Sequence, residues 1–287
     1  MTSDVQVGVS PAAVMNLPPM VLTDPVPRDV AAPDHLVPVT MRGPNQHEAA
    51  ALGALAATVV LPAYNEELGL AVLLPALLAL SPDRFEVVVV DDGSTDATAS
   101  VAESFGCRVV RHAANSGKGV AVRTGLLAAR GEKVIIMDAD DTYPVEAVLE
   151  FISRLDDCEM VVGVRTLGRQ NIPLLNRFGN AVLTKAIRIA SGSRWTDPLT
   201  GFYGLRRTVL ERMDLRSNGF SVEAEIAFKS ARLGLRVMDH PIVYRARAGA
   251  SKLHPMRDGF RIAAVLASLG IRRLARSSFQ SIAPYFP

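Results

Sequence analysis

The sequence predicts an α/β fold in which a doubly wound, mostly parallel sheet is flanked by helices. Two observations support this prediction. Short runs rich in valine and isoleucine recur from residue 58 onward, and segments with the apolar spacing of a helix separate them. Continuous apolar runs of this kind are typical of parallel strands that are buried on both faces. In such a sheet, ligand chemistry is expected at the carboxyl ends of the strands.

The first half of the predicted domain alternates strictly between strand and helix. Residues 86–90 include four consecutive valines, residues 66–80 carry leucines at helical spacing, and residues 119–129 are rich in alanine and leucine. The predicted strands are residues 58–61, 86–90, 108–110 and 133–137. The predicted helices are residues 66–80, 96–105, 119–129 and 145–155.

The second half of the chain alternates less regularly, and no internal repeat is visible. Its predicted strands are residues 158–164, 200–205 and 236–245, and its predicted helices are residues 171–190, 221–233 and 256–276. We therefore expect one core domain that extends over residues 58–255.

The two ends of the chain differ in composition from this domain. Residues 1–57 contain eight of the 18 prolines and no lysine. Proline fixes φ and removes a donor, so these residues are expected to form a flexible extension. Residues 256–287 are predicted to form a basic amphipathic helix and tail. Such a helix can lie on an anionic membrane, and the alternative is a terminal helix packed on the sheet.

Composition excludes several classes of protein. Hydrophobic residues make up 49% of the 287 residues and charged residues 21%, which is an ordinary balance for a core-forming protein. A formal charge of +2 gives no argument for a nucleic acid partner. Cys107 and Cys158 both lie in apolar runs. We therefore expect them to be buried free thiols in a reducing compartment. No apolar run approaches the ~18 residues of a membrane-spanning helix, so we expect a cytoplasmic protein, at most peripheral to a membrane.

Polar clusters follow three of the predicted strands. They are residues 62–66, 91–96 and 138–141. Carboxylates gathered at one edge of a sheet repel each other unless a cation or a ligand's donor groups neutralise them. Asp138 and Asp140 lie on one side of an extended segment, and their hard oxygens suit Mg²⁺ or Mn²⁺ shared with substrate phosphates. Helix capping is the competing explanation for Asp141 or Thr142.

Two nucleotide-binding motifs are incomplete in this sequence, each at a defined position. A phosphate-binding Walker A loop at residues 115–119 would need glycine where His112 stands and serine or threonine where Gly119 stands. A dinucleotide-binding GxGxxG pattern fails because Val122 replaces its last glycine.

Six motifs, in order and with the right spacing, resemble those of the family 2 glycosyltransferases with the GT-A fold. The likeness runs from about residue 58 to residue 253 and is greatest to dolichol- or polyprenyl-phosphate mannose synthases and their bacterial relatives. The motifs are Val60-Leu61-Pro62-Ala63-Tyr64-Asn65-Glu66, Val90-Asp91-Asp92-Gly93-Ser94-Thr95-Asp96, Asn115-Ser116-Gly117-Lys118-Gly119, Met137-Asp138-Ala139-Asp140, Asp197-Pro198-Leu199-Thr200-Gly201-Phe202 and Arg247-Ala248-Gly249-Ala250-Ser251-Lys252-Leu253.

The resemblance implies a GT-A fold with a Rossmann-like nucleotide-binding half. It also implies inverting transfer of a hexose, mannose or glucose, from a GDP- or UDP-sugar to a polyprenyl phosphate. The implied nucleotide-sugar ligands are Pro62, Tyr64, Glu66, Asp91 or Asp92, Lys118, Asp138 and Ala139. Asp138 and Asp140 are the implied ligands of Mg²⁺ or Mn²⁺. Asp140, Asp197 and Arg247 are the expected catalytic residues, and Arg165, Arg177 and Lys252 are expected to bind the acceptor.

Two departures from the family pattern leave the acceptor open. Thr142 stands where these synthases often carry glutamine, and Ala181 stands where a serine usually follows the acceptor-site arginine. A soluble acceptor, such as a sugar, a phosphoglycerate or a natural product, is therefore the alternative. A hydroxyl acceptor would need a general base, for which Asp197, Glu223 and Glu225 are candidates. A nucleotide-sugar binder without turnover is a third possibility, and the intact Asp138-Ala139-Asp140 motif argues against it.

Overall fold

The computed structural model describes residues 55–80, 85–247, 252 and 257–266. Seven strands form one sheet in the order β3-β2-β1-β4-β6-β5-β7. The strands are β1 (Ala57–Ala63), β2 (Phe85–Asp91), β3 (Arg108–Arg111), β4 (Lys133–Ile136), β5 (Met160–Leu167), β6 (Tyr203–Arg206) and β7 (Val237–Val243). The helices are α1 (Glu67–Leu80), α2 (Thr98–Ser104), α3 (Lys118–Ala128), α4 (Ala147–Arg154), α5 (Leu174–Ser191), α6 (Arg207–Met213), α7 (Ser221–Arg232) and α8 (257–266).

The predicted α/β fold and its mostly parallel sheet are confirmed. Strand β1 lies between β2 and β4 and is parallel to both, and β5 is parallel to β7. Strand β6 runs antiparallel between β4 and β5. The sheet therefore joins a half of the doubly wound type to a second half built around the antiparallel β6.

Strands β1, β2 and β4 are buried on both faces, as the continuous valine and isoleucine runs predicted, whereas the edge strands β3 and β7 are partly exposed. Val59 and Leu61 of β1 pack on one face against the leucines of α1, whereas Val60 packs on the other face against Val122 and Leu126 of α3. Burial of such side chains stabilises the fold by roughly 1.5–3 kcal/mol each. Alternate residues of one strand thus serve two hydrophobic cores.

Several expectations are changed by the structure. The short helix α6 and the 3-10 helix Arg169–Asn171 were not predicted, and β6 begins at Tyr203 because the turn at Gly201 occupies the residues before it. Cys158 is buried, but Cys107 is only partly so. Within α8, Ile262 and Leu266 pack on the hydrophobic core. This agrees with the alternative that the sequence offered, a terminal helix packed on the sheet.

Parts of the sequence predictions lie outside the described residues. They concern the extension 1–57, apart from its last three residues, and the tail beyond residue 266. No helix in the described ranges is long and apolar enough to cross a membrane.

Glu225 of α7 holds the loop that packs beneath the start of α3. Its carboxylate accepts hydrogen bonds from the backbone N–H groups of Arg216 (3.0 Å) and Ser217 (2.8 Å) and forms an ion pair with Lys229 at 2.7 Å. Burial alone would raise the pKa of Glu225, but these hydrogen bonds, led by the one from Lys229, hold it below its ordinary value. In the same loop, the carbonyl of Asn218 accepts a hydrogen bond from the N–H of Gly119 (2.8 Å).

We expect Glu225→Gln to lower the free energy of unfolding at neutral pH by about 1–3 kcal/mol, because buried hydrogen bonds to an ionised group are lost. A lowered folded-state pKa contributes stability above the ordinary value of 4.5, and this contribution is lost as the pH falls through the folded-state pKa. The difference between variant and wild type should therefore shrink in acid, as urea unfolding at several pH values would show. Asp214→Asn, at an exposed ion pair, is the control and should change stability by less than about 0.5 kcal/mol. A difference that stays constant down to acid pH would contradict this role.

Candidate active site

The loops after β1, β2 and β4 meet at one edge of the sheet, since these parallel strands end side by side. A cavity of about 650 Å³, here called the polar cleft, opens at this edge. Its lining includes all of the expected nucleotide-sugar ligands except Asp91, namely Pro62, Tyr64, Glu66, Asp92, Lys118, Asp138 and Ala139. Asp140 and Arg247, expected to be catalytic, and Lys252, expected to bind the acceptor, line it too.

The two neighbouring aspartates at the end of β2, Asp91 and Asp92, have different partners. Asp92 lines the polar cleft and accepts hydrogen bonds from the N–H groups of Ser116 (3.0 Å) and Gly117 (2.7 Å), so it fixes the loop that leads to Lys118. Asp91 accepts the N–H of Ser94 at 2.9 Å and pairs with Arg111 of β3 at 3.3 Å. The sequence left the choice between them open, and the structure brings Asp92 to the cleft wall.

The loop after β1 is held by hydrogen bonds that it donates to the loop after β2 and to the start of α2. The N–H of Glu66 donates to the hydroxyl of Thr98 (2.8 Å), and the N–H of Asn65 donates to that of Ser94 (2.9 Å). Asn65 has a φ of 52°, a left-handed conformation that asparagine tolerates better than most residues. This arrangement presents the Glu66 side chain to the cleft.

Asp138 and Asp140 lie at the centre of the polar cleft. One oxygen of Asp140 accepts hydrogen bonds from the N–H (3.2 Å) and the hydroxyl (2.6 Å) of Thr142, and the other pairs with Arg247 at 2.6 Å. Thr142, which stands in place of the family glutamine, thus orients Asp140. Asp138 pairs with Lys118 at 2.6 Å.

Three cations pair with four carboxylates in and beside this cleft. Lys118 lies 2.6 Å from both Asp138 and Glu223, and Lys252 lies 2.8 Å from Glu66. Arg247 bridges Glu66 and Asp140. Burial alone would lower the pKa of Lys118, but its two carboxylates raise it. Burial raises the pKa of Asp138 to about 6, against the effect of Lys118. The described lining of the cleft as a whole carries five carboxylates and five cations, so its formal charges balance.

The donor set of the cleft fits a hard divalent cation that is shared with a ligand. Asp138 and Asp140 offer carboxylate oxygens, which Mg²⁺ and Mn²⁺ prefer. No group of three potential metal-ligating side chains converges within the described ranges. Two carboxylates leave most of the coordination sphere to a diphosphate and water, as is usual for Mg²⁺.

A second cavity, of about 740 Å³ and here called the apolar cavity, adjoins the first. Asp138, Asp140, Lys118, Glu223 and Arg247 border it, so the two cavities share their charged wall. Most of its remaining lining comes from α5, α8 and their neighbours, namely Ile172, Pro173, Leu175, Phe178, Val182, Leu183, Leu199, Phe220, Tyr244, Phe260, Ile262 and Ala263. Sequence reasoning missed this lining, for which the signal was an α5 segment rich in apolar residues and free of acids.

Arg165 and Asp197, expected to bind the acceptor and to act as a base, are paired with each other. Two N–H groups of Arg165 donate to the two oxygens of Asp197 at 2.7 and 2.6 Å, and the guanidinium also donates to the carbonyl of Leu199 at 2.8 Å. The guanidinium lies 5.5 Å from the centre of the Tyr244 ring. The two side chains thus fix the turn before β6, and the acceptor-binding and base roles expected of them stay predictions.

The remaining candidates divide between the cleft and the surface. Arg177 is exposed on α5 and does not line either cavity, because it lies on the side of the helix that faces away from them. Glu223 borders the apolar cavity, whereas Glu225 faces the loop at residues 214–218. Spacing of two residues on a helix predicts this divergence. Glu223 is the better placed carboxylate of the two.

Comparison with known proteins identifies relatives of this chain. Residues 58–214 match the family model of glycosyl transferase family 2. The chain is 35% identical over 206 residues to a dolichyl-phosphate hexose transferase of Haloferax volcanii, a match covering 71% of this chain and 89% of that protein. It is 30% identical over 208 residues to a dolichol-phosphate mannosyltransferase of Pyrococcus furiosus, covering 68% of this chain and 58% of that protein.

A solved structure is also similar. Glucosyl-3-phosphoglycerate synthase of Mycobacterium tuberculosis, in complex with Mn²⁺, UDP-glucose and phosphoglyceric acid, superposes with a TM-score of 0.62 at 25% identity, covering 82% of this chain and 85% of that one. The doubly wound sheet and its charged strand ends are those of a glycosyltransferase with the GT-A fold. The chain belongs to glycosyltransferase family 2, and its resemblance to the dolichol-phosphate mannose synthases is confirmed.

Gly201 makes room for Asp138. A Cβ atom at this position would lie 2.4 Å from Oδ2 of Asp138, and the φ of Gly201 is +46°, which side chains rarely adopt. The turn before β6 can therefore approach the aspartate pair only with glycine here.

We expect Gly201→Ala to displace the Asp138 carboxylate and to lower the affinity for a nucleoside diphosphate with Mn²⁺ by about tenfold or more, a loss of about 1.4 kcal/mol. Isothermal calorimetry would measure this. Gly234→Ala is the matched control, because Gly234 has a similar φ of +65° but open space around it. It should lower stability without changing affinity. Equal affinities of the Gly201 variant and wild type would show that Asp138 is not part of the binding site.

Proposed function

We propose that this glycosyltransferase moves a hexose from a nucleoside-diphosphate sugar to a polyprenyl phosphate, with inversion and with the help of a divalent cation. The observation that carries the proposal is the apolar cavity of about 740 Å³, which begins at the aspartate pair and is bordered by apolar side chains of α5 and α8. A prenyl chain needs an apolar channel of this kind, and a small polar acceptor does not.

The polar cleft suits the donor. Pro62, Tyr64 and Asp92 would border the base and ribose, and Glu66 and Lys252 would lie near them. Asp138 and Asp140 would hold Mg²⁺ or Mn²⁺, which supplies positive charge to the leaving diphosphate when bound. Lys118 and Arg247 are already placed in the same wall, where they would stabilise the negative charge that develops on that group. The Mn²⁺ and UDP-glucose named for the mycobacterial synthase support this assignment.

The acceptor phosphate would meet the sugar where the two cavities share their wall. A phosphate monoester is already an anion, so it needs little deprotonation before it attacks the anomeric carbon. This accords with the pairing of Asp197 with Arg165 and of Glu223 with Lys118, which leaves no unpaired carboxylate among these candidate bases. The names of the haloarchaeal and Pyrococcus relatives point to the same class of acceptor.

An exposed apolar stripe on α5, three members of which also line the apolar cavity, supports a lipid-borne acceptor. Five apolar side chains of α5 are at least half exposed, and they fall within an arc of about 100° at 100° per residue. They are Leu174, Leu175, Phe178, Val182 and Ile189, with exposures of 77%, 59%, 70%, 51% and 73%. The helix contains no acid; Lys185 lies within the same arc, and Arg177 and Arg188 lie beside one edge of it. An apolar stripe with basic side chains in and beside it suits contact with an anionic membrane.

A phosphoglycerate acceptor is the second candidate, because the structural neighbour was crystallised with phosphoglyceric acid. The structure offers less support for it here. Of the cations that border the apolar cavity, Arg165 is held by Asp197, and Lys118 and Arg247 are held by carboxylates of the donor wall.

We expect mass spectrometry to detect hexosyl-phosphoprenol when the protein is supplied with GDP-mannose or UDP-glucose, Mn²⁺ and vesicles that contain polyprenyl phosphate. Leu174→Asp combined with Ile189→Asp should cut this vesicle activity about tenfold or more, because charges on the stripe oppose insertion. Transfer to a short, water-dispersed prenyl phosphate should be retained, since neither residue lines the apolar cavity.

Leu68→Asp is the matched control, as Leu68 is 61% exposed on α1. It should leave vesicle activity unchanged. Transfer to 3-phosphoglycerate with none to either prenyl phosphate would overturn the proposed acceptor. An equal loss on vesicles and on the short acceptor would overturn the role of the stripe alone.

A further inference from the structure

Arg247 makes contacts that compete with the proposed function of Asp140. Its Nη1 lies 2.6 Å from Oδ2 of Asp140, and its Nη2 pairs with Glu66. The other oxygen of Asp140 accepts both hydrogen bonds from Thr142. Both oxygens of Asp140 are therefore engaged by side chains or backbone of this chain.

A second feature of Arg247 points to a further acceptor group. Its Nε is buried and has no hydrogen-bond partner within the described part of the chain. A buried N–H without a partner is costly, and a ligand that supplies an oxygen relieves that cost. Arg247 lines both the polar cleft and the apolar cavity, so a diphosphate in the cleft can supply such an oxygen.

We propose that Arg247 blocks the metal site until the donor binds, so that the cation and the nucleoside diphosphate bind together. This inference rests on the proposed function. The guanidinium occupies the oxygen of Asp140 that a cation would need, and it would repel a divalent ion directly. A bound diphosphate would attract the guanidinium away from Asp140, so that this oxygen could hold the cation. Binding of each ligand consequently favours the other by the same factor.

The test is a Mn²⁺ titration followed by electron paramagnetic resonance, which measures free Mn²⁺ without any turnover. For wild type we expect weak binding of Mn²⁺ alone. Arg247→Gln should bind Mn²⁺ alone about tenfold or more tightly than wild type does. It should also show a smaller gain in Mn²⁺ affinity when GDP or UDP is added. Arg247→Met, which keeps most of the side-chain length, serves the same purpose if the glutamine variant does not fold.

Arg245→Gln is the matched control. Arg245 lies two residues away and pairs with Asp141 at 3.8 Å and Glu146 at 3.3 Å, so its loss removes one positive charge without freeing Asp140. Its Mn²⁺ affinity should match that of wild type within about twofold, because Arg245 is partly exposed to solvent and makes no ion pair with Asp138 or Asp140. Equal Mn²⁺ affinities of the Arg247 variants and wild type, or equal gains in the Arg245 and Arg247 variants, would overturn the blocking role.

Asp140→Asn separates failure of this inference from failure of the proposed function. The variant should lose Mn²⁺ binding both with and without nucleotide. If Asp140→Asn binds Mn²⁺ as wild type does, the metal site itself lies elsewhere. If it loses binding while the Arg247 variants are unchanged, the metal site is upheld and only the blocking role falls.

Discussion

The balance of charge at one edge of the sheet is the constraint on which the rest of the site depends. Parallel strands β1 and β4 end side by side and deliver Glu66, Asp138 and Asp140 to a small volume. Unpaired carboxylates in such a place would cost far more than the fold can tolerate. Cations from distant parts of the chain pair with these carboxylates, and the same carboxylate oxygens suit a divalent cation that arrives with the negative charge of a ligand.

Glycine and hydroxyl groups make this crowding possible. A Cβ on Gly69 of α1 would lie 2.3 Å from the carbonyl of Ala139, and Gly201 gives Asp138 its space. Thr142 and Thr98 then fix the carboxylate of Asp140 and the backbone of Glu66 through hydrogen bonds. The chemistry of the cleft thus rests on small residues that contribute no charge of their own. Substitution of any of these small residues is expected to move a carboxylate of the cleft and so to change the affinity for the ligand.

The sequence predicted those parts of the molecule that depend on local pattern. Valine runs gave the buried strands, and the strand-end position of Asp138-Ala139-Asp140 indicated the cleft. Pairing across long separations was not predictable, because it depends on which loops meet in space. Arg165 and Asp197 are 32 residues apart and neutralise each other. The direction of the α5 stripe was missed for the same reason, since periodicity shows that a helix has an apolar face but not what covers it.

The central claim is that the charged edge of the sheet is a donor site completed by a metal. The most direct measurement is anomalous X-ray scattering from crystals grown with Mn²⁺ and a nucleoside diphosphate. The account predicts a manganese peak beside Asp140, bridged to the diphosphate, with the base near Tyr64 and Asp92. A nucleotide bound away from Asp138 and Asp140, or a manganese peak at another site, would contradict it.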